Sequence, residues 1–364
     1  MKPLYVSATK QDCGKTTFMI GFVQALRALG RDVGCMKPVG QRYVEFQGLN
    51  VDEDIVLARH VFGLQDHPAD MSSIAIERGF TARYIFHRDP APLERRILDA
   101  FGRLRAAHGT MVVEGTGHAG VGSCFDLSNA RVAHLFGAGV IIVTEGGIGR
   151  AIDEVALNLH LFGRHGVPVL GVVLNKVWPE KMDAIRAAVA QGLKNLGTRL
   201  LGAVPLYEPL LHHRVEQDAE VVGGKVLCGE AAMDNVVHHT VVAAMRPENV
   251  GRYIRPRTLV IAAGDRLDAT LVSILMGPDA AQPPISGIVL TGGFDPAADA
   301  LATLKAAGIP VILAEEDTYS VASKLKGMRF KIRIEDPDKI AAAQQLVHDH
   351  IDVEAILAAL AESD

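Results

Sequence analysis

The sequence has no basic excess. Its 37 Lys and Arg are set against 42 Asp and Glu, a formal net charge of −5, so no positive field draws the chain to nucleic acid or to an anionic membrane. Small molecules are the expected partners. Cysteine is sparse: Cys13, Cys35, Cys124 and Cys228 lie far apart with no C-x-x-C pair. The N-terminus shows no charged-then-apolar export signal, and a reducing, cytoplasmic setting is the expectation. No uninterrupted apolar run reaches the roughly 18 residues of a membrane-spanning helix, so no membrane partner is expected. Low-complexity tracts and repeats of solenoid period are missing, and aromatics make up only 5% of the chain.

What remains is 49% hydrophobic over 364 residues, long enough for two cores and too long for one ordinary domain. Short apolar runs bounded by turn residues recur in the first half: Leu4–Val6, Asp32–Met36, Thr110–Val113, Gly139–Val143, Val169–Leu174 and Leu200–Val204. They read as buried parallel strands. Helical stretches lie between them, at Thr17–Leu29, Pro92–Ala107, Ile152–His165 and Glu180–Leu196. The alternation predicts an α/β fold, a doubly wound, mostly parallel sheet with ligands at the carboxyl ends of its strands.

The pattern changes near Tyr207-Glu208-Pro209, which places a boundary at about 212 and gives domains over 1–212 and 213–364. In the second, smaller α/β domain the expected strands are Glu220–Val222, Val226–Leu227, Leu259–Ala262, Ile288–Leu290, Val311–Ala314 and Phe330–Ile334. The expected helices are Met233–Met245, Asp268–Met276, Pro296–Ala307, Thr318–Leu325 and Asp336–Leu360.

The run Ser7-Ala8-Thr9-Lys10-Gln11-Asp12-Cys13-Gly14-Lys15-Thr16-Thr17 sits between an apolar strand and an apolar helix start. A loop so placed aims backbone N–H groups and a positive dipole end at one spot. Lys15 can reach β/γ-phosphates there and Thr16 can hold Mg²⁺. The strict pattern wants glycine where Thr9 stands. Cys13 lies where a thiolate is favoured, but a small residue filling a tight loop is the preferred reading, and it is assigned no chemistry.

Other candidate residues stand at strand ends. Lys37, in Cys35-Met36-Lys37-Pro38-Val39, can bind a γ-phosphate or substrate anion. Glu114, in Val112-Val113-Glu114-Gly115-Thr116-Gly117, can hold Mg²⁺ or orient a reacting group. Asp52 and Asp54 open a helix; N-capping is the structural role for both and metal ligation the chemical one, with Asp54 preferred for the metal. Asn175, followed by Lys176 at the end of a later strand, offers a donor and an acceptor that suit the N6/N7 edge of adenine, although an Asn also starts turns.

Taken together these motifs resemble the dethiobiotin synthetase-like branch of the P-loop ATPases, which includes the amidoligases of cobalamin synthesis. The resemblance covers roughly 1–212. It matches Ala8 through Thr16 to the family's phosphate loop, Lys37-Pro38-Val39 to its K-P-V strand end, Asp54 to its acidic helix start, and Val113 to Gly117 to its V-E-G-x-G. Asn175 matches its late Asn, and Pro205 its loop beside the adenine. It therefore implies one ATP·Mg²⁺ site. Nucleotide falls to Thr9, Lys10, Gln11, Asp12, Cys13, Gly14, Lys15, Thr16, Thr17, Asn175, Lys176 and Pro205, metal to Thr16, Asp54 and Glu114, and catalysis to Lys15, Lys37 and Glu114.

Two departures stand out. Ala8 replaces the leading glycine, and His118 replaces a glycine that lies beside bound substrate in dethiobiotin synthetase. Lys10 stands five residues before Lys15, where MinD/ParA-like switch ATPases carry a lysine that reaches the partner's nucleotide. It suggests a homodimer or higher homo-oligomer; contact within its own subunit is the other reading.

The second half, with Val260-Ile261-Ala262-Ala263-Gly264-Asp265-Arg266 and Leu290-Thr291-Gly292-Gly293, looks like a DRTGG domain over about 214–330. Its glycines form either an anion nest or tight turns. The pairing of domains resembles the N-terminal half of long phosphotransacetylases, without their catalytic part. Two functions follow from the resemblance: ATP-dependent activation of a small carboxylate or carbamate, or a nucleotide sensor acting on a partner enzyme with little turnover.

Overall fold

Six apolar runs of the first half line up as one parallel sheet, because side chains on both faces of each strand are apolar and need cover on both sides. In the computed structural model, which describes residues 1–266, 271–272, 275, 285–328 and 331–363, these strands are β1 (Leu4–Ala8), β2 (Val33–Met36), β3 (Thr110–Glu114), β4 (Gly139–Glu145), β5 (Val169–Val177) and β6 (Leu200–Pro205). Their order is β6-β5-β4-β1-β3-β2. Register is fixed at the centre by Leu4 opposite Val112 on one side and Gly139 on the other. Helices α1 (Lys15–Ala28), α2 (Glu53–Phe62), α3 (Pro90–Ala107), α4 (Gly149–Arg164) and α5 (Met182–Asn195) connect the strands. The expected doubly wound arrangement is what forms.

The chain divides into two compact units, one of residues 1–207 together with 331–364 and one of residues 208–330. The second unit carries a helix α6 (Val215–Val222) and strands β7 (Lys225–Cys228), β8 (His239–Val242), β9 (Thr258–Ala263) and β10 (Ile285–Thr291). After them come helix α7 (Ala298–Ala306), strand β11 (Val311–Leu313) and helix α8 (Thr318–Lys326). Its sheet order is β7-β11-β10-β9-β8, parallel except where β7 meets β11. Alternate residues feed two cores: Val260, Ala262, Ile288 and Leu290 face one, Leu259, Ile261 and Val289 the other.

Four expectations for this half are corrected. Glu220–Val222 is the last turn of α6, which Gly223 terminates at φ 61°. Met233–Met245 is not a helix: it contains strands Val236–Val237 and β8, since its β-branched residues suit a pleated surface better than a helix. Phe330 lies outside the described residues, and 331–334 forms no strand. Asp336–Leu360 is two helices, α9 (Pro337–His350) and α10 (Val353–Glu362), separated where Asp352 caps α10 by accepting from Ala355 N at 2.9 Å. Of the helix expected over Asp268–Met276, Leu271, Val272 and Leu275 are helical and the rest lies outside the described residues.

The C-terminal helices also correct the domain expectation, because they belong to the first unit. At Gly21 of α1, a Cβ would come within 2.4 Å of Val347 and 2.6 Å of the Ala343 carbonyl of α9. At Gly139 of β4 it would come within 2.7 Å of Leu360 of α10. Contacts this close need glycine on one side, so the returning helices complete the first core. Among the described residues no helix is long and apolar enough to cross a membrane.

Candidate functional site

The carboxyl ends of β1, β2 and β3 converge under the N-terminus of α1. Gly14, the residue before α1, has φ 88°, and a Cβ there would lie 2.0 Å from Asn175 Nδ2. Conformation and space both demand glycine at this point. Asn175 donates from Nδ2 to the Cys13 carbonyl at 2.9 Å, and its Oδ1 accepts from Lys176 N at 2.9 Å. Lys176 Nζ reaches the Asp12 carbonyl and Glu145. The late Asn-Lys pair thus braces the loop from the end of β5.

The rest of the loop is pinned locally. Thr9 Oγ1 bonds Thr144 Oγ1 at 2.9 Å, and Gln11 donates to Gln41 at 3.1 Å. Lys10 pairs with Glu145 of its own chain. Burial alone would raise the Glu145 carboxyl, but hydrogen bonds from Lys10 and Lys176 outweigh it and hold the pKa below the usual range. Thr17 follows Thr16 in the first turn of α1, and Pro205 ends β6 opposite Val177, next to the Asn175 strand end.

Beneath the helix N-terminus lies a buried charge cluster. Lys37 Nζ contacts Asp54 Oδ2, lies 2.9 Å from Asp52 Oδ1 and 3.9 Å from Glu114 Oε1. Thr16 Oγ1 lies 3.2 Å from Asp54 Oδ1 and 3.4 Å from Glu114 Oε1, its single proton shared between the two acceptors. The two acids at the start of α2 divide their work: Asp52 is the N-cap, accepting from Asp54 N at 3.0 Å, and Asp54 turns inward to Thr16 and Lys37. A third lysine joins them, with Lys331 Nζ at 2.9 Å from Asp54 Oδ1 and 2.7 Å from Glu53 Oε1.

These contacts set the protonation of the cluster. Burial opposes charge on Lys37, yet the Asp54 and Glu114 carboxylates outweigh it and raise the pKa. Burial likewise opposes charge on Asp54, but Lys37 and Lys331 hold its carboxyl well below the usual range. Glu114 is pushed up to about 7 by burial and by the Asp54 charge. Burial pushes the Lys15 ammonium down, and Glu114 only partly offsets it. Taking charges out of water costs several kcal/mol per ion, so a cluster of this size marks a functional place more readily than a stabilising one.

The donor set fits a hard divalent ion. Thr16 Oγ1, Asp54 Oδ1 and Glu114 Oε1 are neighbouring oxygens, and Asp52 Oδ2 is buried with no hydrogen-bond partner among the described residues. Among those residues no group of three or more His, Cys, Asp or Glu is arranged to hold a metal. The neighbouring hydroxyl and two carboxylates suit Mg²⁺, which keeps waters and takes phosphate oxygens beside one or two carboxylates.

Sequence reasoning passed over four supporting residues. Tyr5 Oη donates to Asn129 Oδ1 at 2.8 Å, and Asn129 Nδ2 donates to the Thr116 and His118 carbonyls at 2.8 and 2.6 Å, which fixes the turn after Glu114. Glu145 gathers Lys10 and Lys176. Lys331 lies 277 residues from Asp54 in sequence, with no motif around it to betray the contact. In the second unit, the Gly292 and Gly293 N–H groups donate to the Glu316 and Ala314 carbonyls at 2.8 and 3.0 Å. Of the two readings for those glycines, the tight turn is the one that forms.

Comparison with known proteins agrees with this division. Residues 2–214 match the family model described as an AAA domain, and residues 219–328 match that of the DRTGG domain. A phosphate acetyltransferase of Nitratidesulfovibrio vulgaris is 29% identical over 362 residues, which is 96% of this chain and 50% of that protein. An ATP-dependent dethiobiotin synthetase of Anaeromyxobacter dehalogenans is 26% identical over 236 residues, 62% of this chain and 99% of that one. Among solved structures, the CBS and DRTGG domains of the regulatory region of Clostridium perfringens pyrophosphatase, in complex with the activator diadenosine tetraphosphate, align with a TM-score of 0.26 at 21% identity. That alignment covers 31% of this chain and 45% of the other. The chain spans about half the length of the phosphate acetyltransferases it matches.

Proposed function

The chain belongs to the AAA domain family, matched over residues 2–214, and from that premise we propose that its first unit binds ATP with Mg²⁺ and transfers the γ-phosphoryl group. The observation that carries this reading is the meeting of Thr16, Lys37, Asp54 and Glu114 below the helix N-terminus that Gly14 and Lys15 open. The loop amides and the α1 dipole bind the phosphates. Lys15 and Lys37 place positive charge on the β/γ end, where charge spreads during transfer. Thr16, Asp54 and Glu114 would hold the metal, which supplies neutralisation of phosphate charge when bound. Asn175 reads the adenine edge after exchanging its bond to the Cys13 carbonyl, and Pro205 lies beside the base. Glu114, at the metal, also orients the reacting group. The acceptor is a small carboxylate or carbamate whose oxygen attacks the γ-phosphorus in line as the bond to the β-phosphate oxygen breaks, giving an acyl phosphate and ADP.

A second reading, a nucleotide sensor with little turnover, is favoured by one observation: similarity to phosphate acetyltransferase runs over 96% of the chain, whereas that to dethiobiotin synthetase covers 62%. A phosphate-release assay with Mg·ATP, run beside equilibrium binding on the same sample, separates the two. Binding with sustained release is expected. Tight binding without release supports the sensor, and absence of binding defeats both.

A further inference from the structure

We infer that Lys331 and a divalent ion compete for one oxygen, Oδ1 of Asp54, so that this lysine sets how tightly the site holds its metal. The inference rests on the reading of Asp54 as a metal ligand. Lys331 Nζ stands 2.9 Å from Asp54 Oδ1, the same oxygen that accepts from Thr16 at 3.2 Å. The other oxygen, Oδ2, is taken by Lys37. A metal shared by Thr16 and Asp54 would therefore draw on an oxygen that Lys331 already occupies, and two cations on one carboxylate oxygen repel strongly.

Exposure decides which lysine yields. The Lys37 side chain is 7% exposed and walled in by Asp52, Asp54 and Glu114. That of Lys331 is 26% exposed and can swing its head into water on a flexible stem. Glu53, also paired with Lys331 at 2.7 Å, gives the displaced ammonium a second carboxylate to retain. Lys331 is the first residue after the second unit in the chain, so metal occupancy is registered where the chain re-enters the first unit.

The test is a Mn²⁺ titration of the full chain without nucleotide, with free Mn²⁺ followed by electron paramagnetic resonance, together with hydrogen exchange of residues 331–336. Lys331→Gln is expected to tighten Mn²⁺ binding about tenfold, the factor set by losing one largely desolvated competing charge. Lys331→Arg, which keeps the charge, stays within about twofold of wild type, as does Lys181→Gln, an exposed lysine on which generic charge loss is read. Mn²⁺ speeds exchange over 331–336 in wild type and leaves Lys331→Gln unchanged. Equal affinity in Lys331→Gln and wild type, with binding still lost in Asp54→Asn, overturns the competition alone. Full binding in Asp54→Asn overturns the reading of Asp54 as ligand and the competition with it.

Discussion

Strand β3 of the first unit ends in Glu114 and strand β10 of the second ends in Thr291, and the two ends differ in what they bury. Around Glu114 the site holds Lys15, Lys37, Asp52 and Asp54, all at 9% exposure or less. At Thr291 the hydroxyl pairs with that of Thr318 at 2.7 Å, and the following glycines spend their N–H groups on backbone carbonyls. Both strands are paired in parallel on each side and covered on both faces. One keeps ionised groups out of water at a cost in stability; the other satisfies neutral groups at little cost. Strand-end glycines are therefore weak evidence for a ligand site, and a buried cluster of both signs is stronger evidence.

The contrast breaks most completely at Lys15. Lys15→Ala is expected to abolish nucleotide binding by calorimetry, because no other buried lysine opens α1. Next in size is Lys37→Ala, which leaves Asp52, Asp54 and Glu114 without their central cation. A loss of about 3 kcal/mol or more at pH 7 is expected by denaturant unfolding, and a loss below about 1 kcal/mol would show the cluster to be solvated.

Glu114→Gln sharpens the comparison through pH. A carboxyl whose folded pKa is raised to about 7 contributes stability below its unfolded pKa near 4.5 and loses it as pH rises through 7. The Gln variant should therefore gain stability over wild type at pH 8, of the order of 3 kcal/mol, with the gain vanishing below about pH 4.5. A constant difference across that range would contradict the assignment. Asn175→Ala is expected to relax the preference for ATP over GTP by about tenfold; full discrimination in the variant would remove Asn175 from the base. The smallest effect belongs to the second unit: Thr291→Val should cost about 1 kcal/mol in that unit's unfolding and leave nucleotide affinity unchanged.

How far the sequence was legible follows from the same contrast. All six strands of the large parallel sheet were readable, since residues buried on both faces leave continuous apolar runs, whereas the short pairs Val39–Gly40 with Ile74–Ala75 and Tyr43–Phe46 with Leu49–Asp52 were not. That Thr16, Lys37, Asp54 and Glu114 meet below Lys15 was legible because the loop and the strand ends are local patterns. Lys331 was not, since its partner is brought to it only by the fold. Nor was the return of α9 and α10 to the first core, which rests on small residues such as Gly21 and Gly139 that carry no signal of their own. In the second unit the Val-rich stretch around Val236–Val242 misled: it mixes β-branched residues with histidines at no clean period, and pairing with β9 decides its conformation.

The most direct measurement is a calorimetric titration of ATP into the full chain with and without Mg²⁺. Saturable binding that strengthens at least tenfold with Mg²⁺ is the expected result for a site in which Thr16, Asp54 and Glu114 share a metal with the phosphates. Binding of equal strength after chelation of all divalent ions, or no binding in either condition, would contradict it.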